Sequence, residues 1–408
     1  MNSAQDLSIR RQRTGTIVVV SVAAAYLVIG GLLLLKVPGL LLQEWLPKGN
    51  TDDYGKLLGV AAQIVLFGLG GVIAIAGVSL SILRHRQELA AAERDRQRLR
   101  DDRERELRAR FVTAVDLLSA DSATKRTAAL YALAALADDW DSYGRGDEVQ
   151  VCVDVICGYL RAPLAEGTTS TPVAEVAVRN VGFALINQHL LDQARHSWGA
   201  RTINLARIYL DQPAIFFRPR IRTGGHLTFD GATIAAKGAL SLGEATVQQG
   251  GTISMTGARI EELGEVEIDE LTVCKGGLLE MRHVSVRLVG AVSITNSTIL
   301  NGALLDIDEA IVHSGGYINL GGLAIESRNG VTLRGAEIGE EAELSLYSLY
   351  FAEGATLSLD QSKTRGSGQI LFDGATIQNN KVLLDGAKIA STGPIELPSG
   401  DWLLPEAN

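Results

Sequence analysis

A period of thirteen residues runs through the C-terminal half of the chain. From Leu227, rows of thirteen open on an apolar residue at Leu240, Ile253, Val266, Leu279 and every later step to Ile370. A step of twelve to Val382 and one of thirteen to Ile395 complete fourteen rows. A short fixed period confines a chain to a stacked architecture, because each unit can bury its apolar face only against the next. The third column is apolar in every row (Phe229, Leu242, Met255, Ile268, for example), and a mostly polar residue such as Thr228, Ser241 or Glu267 stands between the first and third. Apolar, polar, apolar is the alternation of a half-buried strand. Column six is small or apolar (Ala232, Ala245, Ala258, Leu271), and column eight is mostly Ile or Val. Column twelve is usually Gly, at Gly238, Gly251, Gly264 and Gly277 among others. Such a glycine marks a corner that needs either positive φ or close backbone approach.

These columns predict a parallel β-helix over 227–397. No Pro lies between Pro219 and Pro394, as interior strands require. A coil of one row would enclose almost no core, and coils that small are usually stapled by disulfides. The region has a single cysteine, Cys274. Two rows per coil, about 26 residues, are therefore expected, with seven coils giving a rod of roughly 30–35 Å. "INLARIYL" at 203–210 fits the columns, but Pro213 and Pro219 interrupt the pattern beyond it, so 200–226 reads as an N-terminal cap. Residues 398–408, with Trp402 and Leu403, read as the C-terminal cap over the last exposed edges.

The front of the chain is of another kind. Residues 17–35 and 57–83 contain no charge, and both are long enough to cross a ~30 Å hydrocarbon core. They are expected to be two transmembrane helices, joined by an external loop at 36–56. Arg10, Arg11 and Arg13 precede the first, in a cytoplasmic N-terminus at 1–16; Arg84 and Arg86 follow the second. The basic residues thus place both termini in the cytoplasm of a multi-pass plasma-membrane protein. Trp45 and Tyr54 suit the outer interface, and the five arginines the inner one. Gly70 and Ala74, with Gly30 and Gly31, would allow the two helices a close approach.

Residues 84–110 hold ten Arg and seven acids with no Gly or Pro, and are expected to form a solvated helical stalk. Asp101–Arg105, Glu104–Arg108 and Glu106–Arg110 are acid-before-base pairs at i,i+4. Leu89, Leu99 and Leu107 keep no heptad. From 111 to 199 the apolar period is helical, through Val115, Leu118, Leu130, Leu133 and Leu136, with a break at Ser119–Ser122 where Asp121 or Ser122 can cap the next helix. This is a small helical domain of four helices. Its Cys152 and Cys157 have no metal-ligand spacing and read as buried thiols.

"ARFVTAVDLLSADSATKRTAALYALAALADDW", followed by "VQVCVDVICGYLRAP", resembles the helical segment that precedes pentapeptide-type repeats in actinobacterial proteins, many of them membrane-tethered. "FDGATI", at two places, and "LDGAKI" resemble the Gly-Ala turns of those repeats. The resemblance covers roughly 110–400 and implies a β-helix with no known catalytic residues. It carries over no functional residue. Strict five-residue repeats are absent, and column three is more often Leu, Ile or Met than Phe.

No catalytic, cofactor or metal site is expected. The six His form no ligand spacing, and no Gly-rich loop carries a phosphate-binding Lys. A carbohydrate-active β-helix would need loops inserted between rungs to wall a cleft, and twelve consecutive rows start without one. Column seven holds Thr233, Thr246, Thr272, Thr298 and Thr376, but Arg259, Ile311, Glu337 and Tyr350 break it as an ice-binding array. Charge separates the halves. Residues 224–408 carry 24 acids against 11 Lys and Arg, and residues 1–223 carry 23 against 27. An acidic rod disfavours nucleic acid. The whole reads as a multidomain α+β protein: a non-catalytic membrane-tethered module that offers an acidic β-helix to a cytoplasmic protein partner. The alternatives are a β-helix carbohydrate-active enzyme and a structural membrane protein that self-associates through its spans or stalk.

Overall fold

The computed structural model describes residues 28–32, 35, 36, 40, 51–163, 170–326, 330–352 and 355–371, with the strands at 381–383, 395–396 and 402–403. The chain divides into two compact units, 1–103 and 104–408. Helix α1, Thr51–Leu118, contributes to both.

In the first unit, nearly all the described side chains in the apolar window of α1 are exposed, with Phe67 71% and Ile75 69% accessible. Among the described residues, α1 is the one helix long and apolar enough to cross a membrane. Two such helices were expected. Of the other stretch, 17–35, only residues 28–32 and 35 are described, as helix; the rest lies outside the described residues, as do Arg10, Arg11, Arg13 and Trp45. Tyr54 falls in the first turns of α1, and Arg84 and Arg86 are exposed further along it. The Ala- and Arg-rich stretch after Leu83 stays helical because its residues are strong helix formers. Its exposed pairs, Glu93–Arg96 at 4.0 Å and Asp95–Arg98 at 3.6 Å, add only tenths of a kcal/mol.

The second unit begins within α1, several residues before the composition changes. Leu107 is fully buried, and Glu104 pairs with both Arg108 and Arg145. Those contacts make the last turns of the expected stalk part of the helical domain. Leu107, Ala114 and Leu118 form the inward stripe, so Val115, expected inside, turns outward. Helices α2 (Ala123–Ser142), α3 (Gly146–Leu160) and α4 (Val173–Leu190) follow. Leu130, Leu133, Leu136 and Trp140 of α2 pack with Val153, Ile156 and Leu160 of α3 and Ile186 of α4. Ser122 occupies the N-cap of α2 but makes no side-chain capping bond.

From Thr202 the chain winds into a parallel β-solenoid. Each coil contributes to four sides, which form sheets of eight, seven, seven and six strands. His226–Thr228, Thr233–Ile234, Ala239–Gly243 and Thr246–Val247 make up one coil. Arg259 pairs with Thr233 on one side and Ser285 on the other, and Thr272 pairs with Thr246 and Thr298. Partners therefore lie 26 residues apart, as in the bond from Thr295 Oγ1 to Asp269 Oδ1. Consecutive thirteen-residue rows fall on different sides of the coil. The threonine column accordingly splits: Thr246, Thr272 and Thr298 stack in one ladder, while Thr233 stands in another with Arg259 and Ser285.

The apolar columns face the axis. Leu227, Phe229, Leu240, Leu242 and Val247 are all fully buried. Each such side chain contributes about 1.5–3 kcal/mol relative to exposure. The corners turn at two left-handed positions in most rows. One is column five: Gly231 (φ 64°) and Gly257 (67°), but also Glu244, Glu270, His283 and Asn296 near 50°. The other is column eleven, with Lys237, Leu263 and Val289 among its members. The column-twelve glycines serve a different purpose. A Cβ on Gly238 would lie 2.1 Å from the Leu210 carbonyl oxygen of the coil before, and one on Gly264 would lie 2.4 Å from that of Ile234. Close approach, not positive φ, selects glycine there.

The stretch expected to cap the rod is its first coil. Thr202–Asn204, Tyr209–Leu210, Pro213–Phe217 and Arg220–Ile221 all pair in parallel with the coil from His226. Pro213 is tolerated because it opens a strand on the terminal rung, where no neighbouring strand needs its missing N–H. At the other end, Ile395–Glu396 and Trp402–Leu403 pair antiparallel. The other residues of the expected cap at 398–408 lie outside the described residues.

Leu320 and Ile294 are fully buried, whereas Thr298 stands in the outward ladder. Leu320→Asp or Ile294→Asp is expected to cost several kcal/mol, on the order of 3 or more, in chemical unfolding. Thr298→Asp is expected to stay within about 1 kcal/mol of wild type.

Candidate functional site

A solenoid's first coil has a row of backbone groups with no strand beyond it. Here the helical domain covers that row. Gln150 of α3 behaves as a one-residue strand: its Nε2 donates to Thr202 O at 2.7 Å, and its Oε1 accepts from Thr202 N at 3.1 Å. Asn187 of α4 accepts the Phe217 N–H at 3.1 Å. Apolar contact continues across the joint, where Phe183 of α4 meets Phe216 edge-on (centroids 6.1 Å apart) and Phe216 meets Phe229 of the second coil (6.0 Å).

The polar centre of the joint is buried. Arg179 Nη2 donates to Leu160 O, an end carbonyl of α3, at 2.7 Å, and to Tyr209 O of the first coil at 3.0 Å. Asp211 accepts from Thr171 twice, at 2.6 Å from N and 2.7 Å from Oγ1. Burial lowers the Arg179 pKa from its ordinary value, and the charge of Asp211 works against that. Thr171, Arg179, Phe183, Tyr209 and Asp211 line a small notch with room for no more than a water-sized group. It is far smaller than the ~300–1,000 Å³ clefts of small-molecule sites, and its polar groups already bind one another.

A second cluster ties the helices together. Arg126 donates to Tyr159 Oη at 2.9 Å and to Glu175 at 2.8 Å, and Tyr159 donates to Glu175 at 2.7 Å. Burial, with help from Glu175, pushes the Tyr159 hydroxyl up to about 12. The thiols are equally unreactive in kind. Burial, then the charge of Glu148, raises Cys152 to about 12; burial dominates at Cys157 as well, again to about 12. Among the described residues, no cluster of three or more His, Cys, Asp or Glu is placed to hold a metal ion.

The outer surface offers a more distinctive arrangement. The strand Glu265–Asp269 lies on one of the broad sides with Glu265 and Glu267 exposed. Ala239 and Ala291 flank Glu265, and Ser241 and Ser293 flank Glu267. Glu262 and Glu270 are exposed at its two ends. The acids thus stand as a ridge between two rows of small side chains. Elsewhere, several solenoid cations are taken up by acids one coil away: Arg334 by the buried Asp308, Arg365 by Glu337, and Arg218 by Glu244. Sequence reasoning found the acidic composition but not the ridge, because rows that adjoin in sequence occupy different sides.

Comparison of the chain with protein-family models, curated proteins and solved structures gave no match. The likeness to pentapeptide-type repeats rests on the helical segment from 109 and the Gly-Ala turns alone, and the structure establishes the parallel β-solenoid.

The joint and the thiols can each be measured. Arg179→Met leaves the Leu160 and Tyr209 carbonyls without their donor and is expected to destabilise the full chain by about 3 kcal/mol or more in denaturant unfolding. Cys274 is half-buried, whereas Cys152 and Cys157 are buried. A thiol reagent at pH 8 should therefore label one cysteine per native chain and three after denaturation.

Proposed function

We propose that this protein is a non-catalytic, membrane-tethered interaction module whose acidic solenoid side docks a basic segment of a protein partner. The observation that carries this reading is the ridge of Glu262, Glu265, Glu267 and Glu270, raised between rows of Ala, Ser and Thr on a rigid sheet. Charge presented on a flat, pre-ordered surface steers a partner of opposite sign and fixes its register. A solenoid supplies such a surface without a pocket.

The tether is the exposed apolar window of α1, with Arg84 and Arg86 following it. A long helix whose apolar residues stand exposed is at home in hydrocarbon. In this reading residues 17–35 form a second span, both termini are cytoplasmic, and Arg10, Arg11 and Arg13 meet the inner headgroups with Trp45 and Tyr54 at the outer interface. The exposed apolar window also suits a scaffold that self-associates through its spans.

The test is in-cell crosslinking and capture of the full chain beside a Glu265→Gln/Glu267→Gln variant. A protein captured by the wild type, and recovered about tenfold less by the variant or at raised salt, supports the module. Equal recovery of the chain itself and nothing else points to the scaffold. Retention of a defined glycan, with its cleavage, points to the carbohydrate enzyme. Reporter fusions at both ends check topology separately: each should report cytoplasm, and an external C-terminal signal would overturn the tether's orientation.

A further inference from the structure

We infer that the acidic ridge is one wall of a groove that takes an extended partner segment in which basic and apolar residues alternate, a pattern that rests on the docking role proposed for the ridge. Three successive strands of the broad side build the groove. On the first coil, Pro213, Ile215 and Phe217 point outward, with Ile215 61% and Phe217 49% accessible. Ala239, Ser241 and Gly243 of the second coil pair with them. Glu265 and Glu267 of the third coil come next, in register with Ala239 and Ser241. Pro213, Ala239 and Glu265 therefore form one line across the sheet, and Ile215, Ser241 and Glu267 form the next.

The middle strand is low and its neighbours are tall. A methyl, a hydroxymethyl and a hydrogen make the floor, with an apolar wall on one side and an acidic wall on the other. Strands ~4.8 Å apart set the two walls roughly 10 Å from each other. One extended chain fits between them, whereas a helix, ~10–12 Å across with its side chains, does not. The apolar wall is already ordered. A Cβ on Gly243 would lie 3.5 Å from Phe217 Cδ2, so the ring leans over the end of the floor. The Arg218 guanidinium carbon sits 5.0 Å from the ring centroid, and its Nε donates to Glu244 at 2.6 Å. Such pre-ordering lowers the entropy lost on binding. The row on the far side of the ridge, Ala291 and Ser293, is bordered instead by the half-buried Tyr317 and Asn319, and has no apolar wall.

The spacing of the walls along the strands sets the pattern of the occupant. Glu265 and Glu267 are two residues apart, as are Ile215 and Phe217, which puts each pair ~6.8 Å apart on one face. Asp269, further along, is already engaged by Thr295 and Asn296. A chain laid along the floor in extended form turns alternate side chains to opposite walls, with the same repeat. Lys or Arg at every second position then meets the two glutamates, and Leu, Ile or Val between them buries against Ile215 and Phe217. Charge fixes which edge of the segment faces which wall, and apolar burial adds affinity that a purely basic segment lacks.

The test titrates the full chain, in a non-ionic detergent, into a short fluorescein-labelled peptide of alternating Lys and Val. The control peptide has the same composition with its Lys and Val in separate blocks, and binding is read by fluorescence anisotropy. The expected result is saturable binding of the alternating peptide, about tenfold tighter than the control. Ile215→Ser with Phe217→Ser removes the apolar wall, and Ser241→Tyr fills the floor while keeping both walls; each should weaken binding about tenfold. Ser293→Tyr, beyond the ridge, should leave it within about twofold. Equal binding of the two peptides would overturn the groove. So would a loss in Glu265→Gln/Glu267→Gln that neither the apolar-wall variant nor Ser241→Tyr reproduces, although the docking role of the ridge would then stand. Unchanged binding in the glutamate variant would overturn both. A wild-type dimer that Ile215→Ser/Phe217→Ser turns into a monomer would assign the apolar wall to a second copy of the chain and likewise overturn the groove.

Discussion

Backbone pairing between residues 26 positions apart is the constraint on which the rest of the C-terminal structure depends. It puts every apolar column over its own kind, so a single register serves all four sides. It also makes the corners costly to vary. A glycine at 238 or 264 is required by the carbonyl of the coil below, not by its own conformation. And it leaves the first coil with an open row, which would otherwise recruit another chain. The helical domain answers that need with one amide at Gln150, one at Asn187, and a guanidinium at Arg179 that serves helix end and coil together.

Parts of this were legible in the sequence for a physical reason. The inward columns must be apolar in every row, so Leu227 and Phe229 announce themselves through their counterparts all along the rod. The left-handed corners did not, because Glu, His, Asn and Gly all occupy column five and only the glycines carry a visible signal. The first coil was hidden by Pro213, and by its shorter offset: Ile203 pairs with Leu227, 24 residues on rather than 26. Val115 and Ala114 exchanged places because the inward stripe of α1 is set by Leu107, which lies within a stretch whose composition reads as solvated. The acidic ridge needed the register itself, since Ala239 and Ala291 become neighbours of Glu265 only when alternate rows share a side.

The proposed function rests on what the coil leaves outside. Its interior is filled by side chains and several of its cations are engaged by acids of adjacent coils, which leaves the flat exterior as the surface open to a partner. There the acids of 261–270 are concentrated on one coil while their neighbours on the broad side are small. In the proposed function, it is this surface that selects the partner by charge and shape along a line.

The register can be measured directly. With Cys152, Cys157 and Cys274 replaced by serine in the full chain, cysteine pairs are introduced on the outward ladders and oxidised. Residues on adjacent strands are ~4.8 Å apart, within reach of a disulfide. The account predicts that Thr272→Cys with Thr298→Cys crosslinks efficiently within the chain, while Ser285→Cys with Thr298→Cys, one thirteen-residue row apart and on a different side, does not. Efficient crosslinking of the second pair and not the first would contradict the 26-residue coil and, with it, the cap and the ridge built upon it.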